Sequence, residues 1–218
     1  MMKESAKIPV SISRQAIRRL PYYLRYLKKM DARGEERVSS AALASDLQLY
    51  EVLVRKDLAT VSRVAGKPRV GFQVRELIED IEHFLGYDNH NLALLAGVGH
   101  LGKALLQYRG FSEYGLEIVA AFDSKRSTIG KKVGDVEVFP VEKMGNLCGR
   151  LNIRIGIITV PQVAAQDICD VMVESGIKAV WNFAPTHLNV PEGILVQNEN
   201  MAASLAILSK HLSEEAST

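Results

Sequence analysis

Six residues near the middle of the chain, Gly97-Val98-Gly99-His100-Leu101-Gly102, have the types and spacing of a GxGxxG loop. In such a loop the first glycine permits a tight turn and the second lets backbone approach a pyrophosphate. The third lets the following helix pack closely on the preceding strand. With 16 glycines in 218 residues the pattern alone is weak. Its context strengthens it, because the apolar run Asn91 to Ala96 enters the loop as a buried strand and a helical pattern from His100 leaves it. The start of that helix offers unpaired N–H groups and the positive end of a dipole to phosphates. Asp123, 21 residues beyond Gly102, ends the next strand, where a carboxylate can accept hydrogen bonds from ribose hydroxyls. These features point to NADH or NAD+ as ligand, since a carboxylate repels a 2′-phosphate, although Lys125 and Arg126 could each meet one.

No catalytic set accompanies the loop. Of the five histidines only His100 and His187 fall where a nicotinamide could lie, and neither has an adjacent acid or an arginine-rich cradle in the sequence. They read as a loop residue near phosphate and a surface turn residue, so no enzymatic activity is expected. The only cysteines, Cys148 and Cys169, lack a CxxC or nearby histidine ligands, which argues against a disulfide framework or structural zinc and favours two buried free thiols over a redox pair. No apolar run reaches the ~18 residues of a membrane span and no apolar stretch follows the N-terminal methionines, so a cytoplasmic protein is expected.

The elements that must position the loop alternate. Strands are expected at 91–96, 116–122, 136–139, 153–160 and 179–183, with helices at 100–109 and 163–175, which argues for a doubly wound, Rossmann-like parallel sheet. An amphipathic helix follows from Asn200 to Leu212. The residues before Gly86 read differently. Ser11 or Ser13 can cap a helix through Met30, kinked or divided at Pro21. A short helix from Ala41 to Leu47, a third from Glu51 to Arg63 and a fourth from Val74 to Leu85 follow. Between the last two, Gly66-Lys67-Pro68-Arg69-Val70-Gly71-Phe72 is turn chemistry and a short extended piece. The expected division is 1–87, 88–198 and a C-terminal helix with its tail at 199–218.

Charge separates the same regions. Residues 1–75 carry 16 Lys/Arg against 7 Asp/Glu, and residues 76–218 carry 11 against 18, so a net +2 conceals +9 beside −7. A basic three-helix unit followed by a Gly/Pro/Arg turn is the plan of a winged helix-turn-helix. Its third helix would enter a major groove with Arg55 and Lys56 near its middle and Arg63 at its end. The Lys67-Pro68-Arg69 turn would be the wing. Arg14, Arg18 and Arg19 would add phosphate contacts that position without specifying. Ser40 and Tyr50, at the starts of the second and third helices, complete the expected DNA-contacting set. The other reading of this face is a solvated surface of a protein-binding helical domain.

The chain resembles the Rex redox-sensing transcriptional repressors. The resemblance rests on Arg19-Leu20-Pro21-Tyr22-Tyr23-Leu24-Arg25-Tyr26-Leu27, Val38-Ser39-Ser40, Val54-Arg55-Lys56-Asp57-Leu58, the Gly97–Gly102 loop, Thr159-Val160-Pro161 and Asn182-Phe183-Ala184-Pro185. It covers nearly the whole chain. It implies a homodimer with an N-terminal winged helix, a Rossmann domain and a C-terminal helix exchanged between subunits. Such a dimer binds palindromic operator DNA and is released by NADH. The resemblance further implies that Gly97, Gly99, Gly102 and Asp123 hold the adenosine-pyrophosphate half. Val98, His100 and Leu101 complete that loop, and Thr159, Val160, Pro161, Asn182, Phe183, Ala184 and Pro185 lie by the nicotinamide. The chain departs from the family pattern in its wing, in the basic stretch Ser124-Lys125-Arg126-Ser127-Thr128, and at Glu199-Asn200-Met201, where neutral Asn200 replaces the usual acid. The alternatives are a small NAD-dependent oxidoreductase with a helical oligomerisation domain and a nucleotide-gated regulatory domain without DNA.

Overall fold

The Ser13 hydroxyl accepts the Ala16 N–H at 3.2 Å and starts helix α1 (Arg14–Ala32). Its Leu20, Tyr23, Leu24, Leu27 and Met30 are buried at helical spacing. Of the two expected outcomes at Pro21, division does not occur; the apolar stripe runs on both sides of the proline and packing outweighs the one missing hydrogen bond. Strand β1 (Arg37–Val38) follows, then α2 (Ser40–Asp46), whose first turn is capped by Ser39 through the Ala42 N–H at 3.0 Å. Gln48 takes a left-handed conformation in the tight turn to α3 (Glu51–Val61). Strand β2 (Phe72–Gln73) pairs antiparallel with β1, placing Val38 opposite Phe72. Helix α4 (Val74–Leu85) then packs along α1 and buries Val74, Leu77 and Ile81 in the same core as Leu43, Val54 and Leu58. This unit is a helix-turn-helix with the two-stranded base of a wing.

The chain divides into two units, the first ending at Asp88 and the second beginning at Asn89. The computed structural model describes residues 12–64, 66 and 70–215.

In the second unit β3 (Asn91–Ala96) leads through the glycine loop into α5 (His100–Leu106), a 3₁₀ turn (Arg109–Tyr114) and β4 (Leu116–Asp123). Then come β5 (Lys132–Val133), β6 (Val136–Pro140), α6 (Met144–Leu151), β7 (Ile155–Ile158), α7 (Gln162–Glu174), β8 (Ala179–Asn182), β9 (Leu195–Asn198) and α8 (Met201–Glu215). The sheet order is β5-β6-β4-β3-β7-β8-β9. All pairs are parallel except the edge pair β5–β6. Leu94 and Ala96 of β3 face Met144, Cys148, Cys169 and Met172 of α6 and α7, whereas Ala93 and Leu95 face Leu105 and Leu106 of α5. Alternate residues of one apolar run thus feed two cores, which is why the run carries no polar alternation.

Four elements lie outside the sequence expectation. Helix α6 contains Gly145 and Gly149 and reads as loop, yet Met144 and Cys148 are buried one turn apart. Strand β9 pairs only with β8 and leaves three of its four residues exposed, so it carries no apolar signature. Strands β1 and β5 have two residues each, too few for any periodicity. Conversely, the strand expected at 153–160 shortens to Ile155–Ile158, because Thr159 turns aside to the glycine loop, and α5 ends at Leu106 rather than Arg109. No helix among the described residues is long and apolar enough to cross a membrane.

Candidate nucleotide-binding row and basic helix

Chain order places a crevice where β3 is flanked by β4 on one side and by β7, reached only after four further elements, on the other. Open α/β sheets bind ligands at the carboxyl ends of strands at such a switch point. Strand register brings the expected residues to that edge in one row. Ala96 lies opposite both Phe122 and Ile158, and Ile158 lies opposite Asn182. The residues next along the chain from these positions are Gly97, Asp123, Thr159 and Phe183. At the usual strand spacing the row from Asp123 to Phe183 spans about 14 Å, the scale of a dinucleotide rather than a mononucleotide.

The three loop glycines differ in what constrains them. Gly97 has φ +101°, and a β-carbon there would lie 2.7 Å from the Thr159 carbonyl carbon. At Gly102 it would lie 2.0 Å from the Gly97 carbonyl oxygen. Both positions are closed by backbone. A β-carbon on Gly99 would meet nothing within 4 Å, so only a ligand could require that position to be bare. The N-terminus of α5 has no side-chain cap at Gly99, and His100 and Leu101 are solvent-exposed. Val98 buries its side chain and donates its N–H to Asp123 Oδ2 at 2.8 Å, while Asp123 Oδ1 accepts the Lys125 N–H at 2.8 Å. The carboxylate therefore joins the loop to the end of β4. These features fit a dinucleotide.

The opposite half of the row is shaped largely by internal bonds. The Thr159 hydroxyl donates to the Gly97 and Ala96 carbonyls at 2.7 and 3.1 Å, so this side chain shapes the glycine loop and is not turned to a nicotinamide. Asn182 is fully buried. It donates to the Ala184 and Thr186 carbonyls and to Asn198 Oδ1 at 2.9–3.2 Å, and accepts the Ala184 N–H at 3.0 Å. It pins the Asn-Phe-Ala-Pro turn from within and offers nothing to a ligand. Val160, Pro161, Phe183 and Pro185 remain as the accessible apolar wall, with Ala184 buried behind them. Phe183 packs on Trp181 with ring centroids 4.8 Å apart, and the Trp181 indole N–H donates to Glu199 at 3.0 Å. Neither Trp181 nor Glu199 belonged to the expected site. Asn200 caps α8 by accepting the Ala203 N–H at 3.1 Å, a task that aspartate and asparagine perform equally.

In the first unit α3 buries Val54, Asp57, Leu58 and Val61 and exposes Val52, Arg55, Lys56 and Ala59, with Tyr50 84% exposed at its start. Arg55 reaches Glu51 only loosely, at 3.7 Å. The buried acid is the anchor that the sequence reading missed. Asp57 accepts Arg19 Nε and Nη2 at 2.8 and 2.9 Å and the Tyr23 hydroxyl at 2.8 Å. Arg19 is thus committed to orienting α3 and is not the free phosphate contact expected, which leaves Arg14 and Arg18 exposed for that purpose. Burial, then the bond to Asp57, pushes the Tyr23 phenol up to about 12. Arg63 is also paired, though its side chain stays exposed. Its side chain is paired with Asp80 and lies 3.9 Å from Glu79, and its backbone N–H donates to Asp80 at 2.8 Å. Ser40 opens α2, half-buried. Lys67 and Arg69 lie outside the described residues. Among the described residues no cluster of His, Cys, Asp or Glu could hold a metal, and Cys148 and Cys169 are buried free thiols whose pKa values burial pushes up.

A family model described as a CoA binding domain matches residues 88–186, and one for a DNA-binding protein N-terminus matches residues 11–59. A Porphyromonas gingivalis protein named redox-sensing transcriptional repressor Rex is 42% identical over 205 residues, 94% of each chain. The Bacteroides thetaiotaomicron protein of the same name is 40% identical over 215 residues, 97% of each. Among solved structures, RSP, a Rex-family repressor, in complex with β-NAD+ and operator DNA has a TM-score of 0.89 at 34% identity, covering 95% of both chains. RSP in complex with β-NADH has a TM-score of 0.84, covering 95% of this chain and 97% of that one. At this identity over nearly its full length, the chain belongs to the Rex family of redox-sensing transcriptional repressors.

Proposed function

We propose that this protein is a redox-sensing repressor that binds a palindromic operator as a homodimer and leaves it when NADH fills the row at the end of its sheet. The observation that carries this reading is that row, from Asp123 through Gly97 to Phe183, in a chain whose first unit presents the exposed Arg55 and Lys56 on a firmly anchored helix. Arg55 and Lys56 reach base edges or phosphates in the major groove, with Arg14, Ser40, Tyr50 and the wing residues Lys67 and Arg69 on the backbone. Arg63 joins them only if DNA draws it from Asp80. Gly97, Val98, Gly99, His100, Leu101 and Gly102 with Asp123 hold the adenosine and pyrophosphate. Val160, Pro161, Phe183 and Pro185 line the nicotinamide end, on a turn that Asn182 and Ala184 support. An apolar wall penalises the positively charged oxidised ring by desolvation and so prefers NADH.

The apolar residues of α8 support dimerisation. Its Leu205, Ile207, Leu208 and Leu212 are 62–73% exposed, an apolar face that a second copy covers by helix exchange. The repressor works in the cytoplasm, where chromosome and nicotinamide pool meet. Its role is that of a regulator, as in the Rex repressors it resembles over nearly its full length.

Linkage sets the size of the switch. A coupling of about 1–3 kcal/mol between nucleotide and DNA gives roughly fivefold to 150-fold release, and DNA must weaken NADH binding by the same factor. A mobility shift on operator DNA with NADH, NAD+ and coenzyme A tests this. NADH alone should release the DNA, Arg55→Ala should abolish the shift, and Asp123→Ala should keep the shift but lose the NADH response. Equal NADH affinity of free and DNA-bound protein would refute it, and steady hydride transfer lost on changing His100 would favour the oxidoreductase.

A further inference from the structure

We propose that the adenosine end of this site also accepts a 2′-phosphorylated coenzyme, with Ser124, Lys125 and Arg126 as its phosphate-binding residues. The proposal rests on the nucleotide reading above and extends it to a second ligand. A carboxylate at the end of the second strand excludes a 2′-phosphate by charge when both oxygens face the ribose unscreened. Here neither oxygen is bare. Asp123 Oδ2 is held by the Val98 N–H and Oδ1 by the Lys125 N–H, each at 2.8 Å. Charge-assisted bonds of this kind spread the negative charge and draw the carboxylate toward the glycine loop.

The residues just after Asp123 supply the opposite sign. Lys125 and Arg126 are both exposed, and among the described residues neither forms an ion pair. The chain turns back at once, with the Thr128 and Ile129 N–H groups donating to the Lys125 carbonyl at 2.9 and 3.3 Å. That turn keeps both cations at the end of β4 beside the row. Ser124 and Ser127 are exposed alongside them. A planar guanidinium fork, an ammonium point charge and nearby hydroxyl donors are the groups a phosphomonoester recruits. Two cations against one screened carboxylate leave the local charge positive. The regulator then responds to reduced coenzyme from both the phosphorylated and the unphosphorylated pool.

The test is calorimetric titration of the full-length protein with NADH and with NADPH. NADPH should bind within about tenfold of NADH, and the Lys125→Ala/Arg126→Ala double variant should widen the preference for NADH by at least about tenfold. A charge-matched control, Lys131→Ala/Lys132→Ala, should leave the preference where it was. Adenosine 2′,5′-bisphosphate should compete with either coenzyme, and less well against the double variant. A wild-type gap larger than tenfold, or one the double variant leaves unchanged, overturns the proposal. Failure of both coenzymes to bind would overturn the nucleotide reading itself.

Discussion

In the first unit side chains hold the helices in place; in the second, backbone holds the loop in place. Asp57 and Asp80, 4% exposed each, grip Arg19, Tyr23, Ser62 and Arg63 from the ends and flanks of helices. The glycine loop is instead closed by the Gly97 and Thr159 backbones, and Asp123 reaches it through main-chain N–H groups. The difference arises from what each surface must present. A helix that offers arginine and lysine outward needs fixed orientation, and a buried carboxylate on its inner face supplies that. A surface that offers N–H groups to phosphate must carry as little side chain as possible, so its precision comes from close backbone contact.

If that contrast is right, damage to one unit should not travel to the other. The largest effect is expected from Asp57→Asn, which leaves Arg19 without its buried partner and should cost about 3–5 kcal/mol of stability in the first unit. Denaturant unfolding would measure it, and NADH affinity should stay within about twofold. Gly102→Ala comes next. Its β-carbon, 2.0 Å from the Gly97 carbonyl, must push backbone aside, so a loss of about 1–3 kcal/mol and of NADH binding is expected with operator binding retained. Gly99→Ala sharpens the comparison: with open space at that position, stability should change by less than about 0.5 kcal/mol. NADH affinity should nonetheless fall at least tenfold, about 1.4 kcal/mol, and unchanged affinity would remove the pyrophosphate from Gly99.

The smallest effect concerns pH. The Tyr23 phenol sits at about 12 in the fold, above its ordinary value of about 10. The folded state therefore holds this proton more tightly than the unfolded chain. The stability it contributes is complete below about pH 10 and is lost as pH rises toward about 12. Alkaline titration should weaken the first unit, and Tyr23→Phe should remove that pH dependence.

Much of the architecture was legible from periodicity. Strand β3 and helix α4 fall at the expected residues, because a doubly buried strand and a strongly amphipathic helix write their environment into consecutive side chains. Helix α6, strand β9 and the two short strands were not legible, since glycines, edge exposure and brevity erase that signal. Asp57 could have been found. It falls in the same helical stripe as Val54, Leu58 and Val61, and an acid in an apolar stripe signals a buried cation.

By itself the sequence determined the residue types: a GxGxxG loop, an acid one strand later, and a basic helical segment before both. It did so because local spacing and composition carry turn chemistry, helix faces and charge. Tertiary structure alone decided how those residues divide the work. Pairing register set Asp123, Gly97, Thr159 and Phe183 in one row across four strands. Packing spent Thr159 and Asn182 on internal bonds and withdrew Arg19 into a buried pair. The partners of Arg19 and Thr159 lie 38 to 63 residues away and Asn182 adds Asn198, 16 away, to its neighbours in the turn, so no local pattern encodes these assignments.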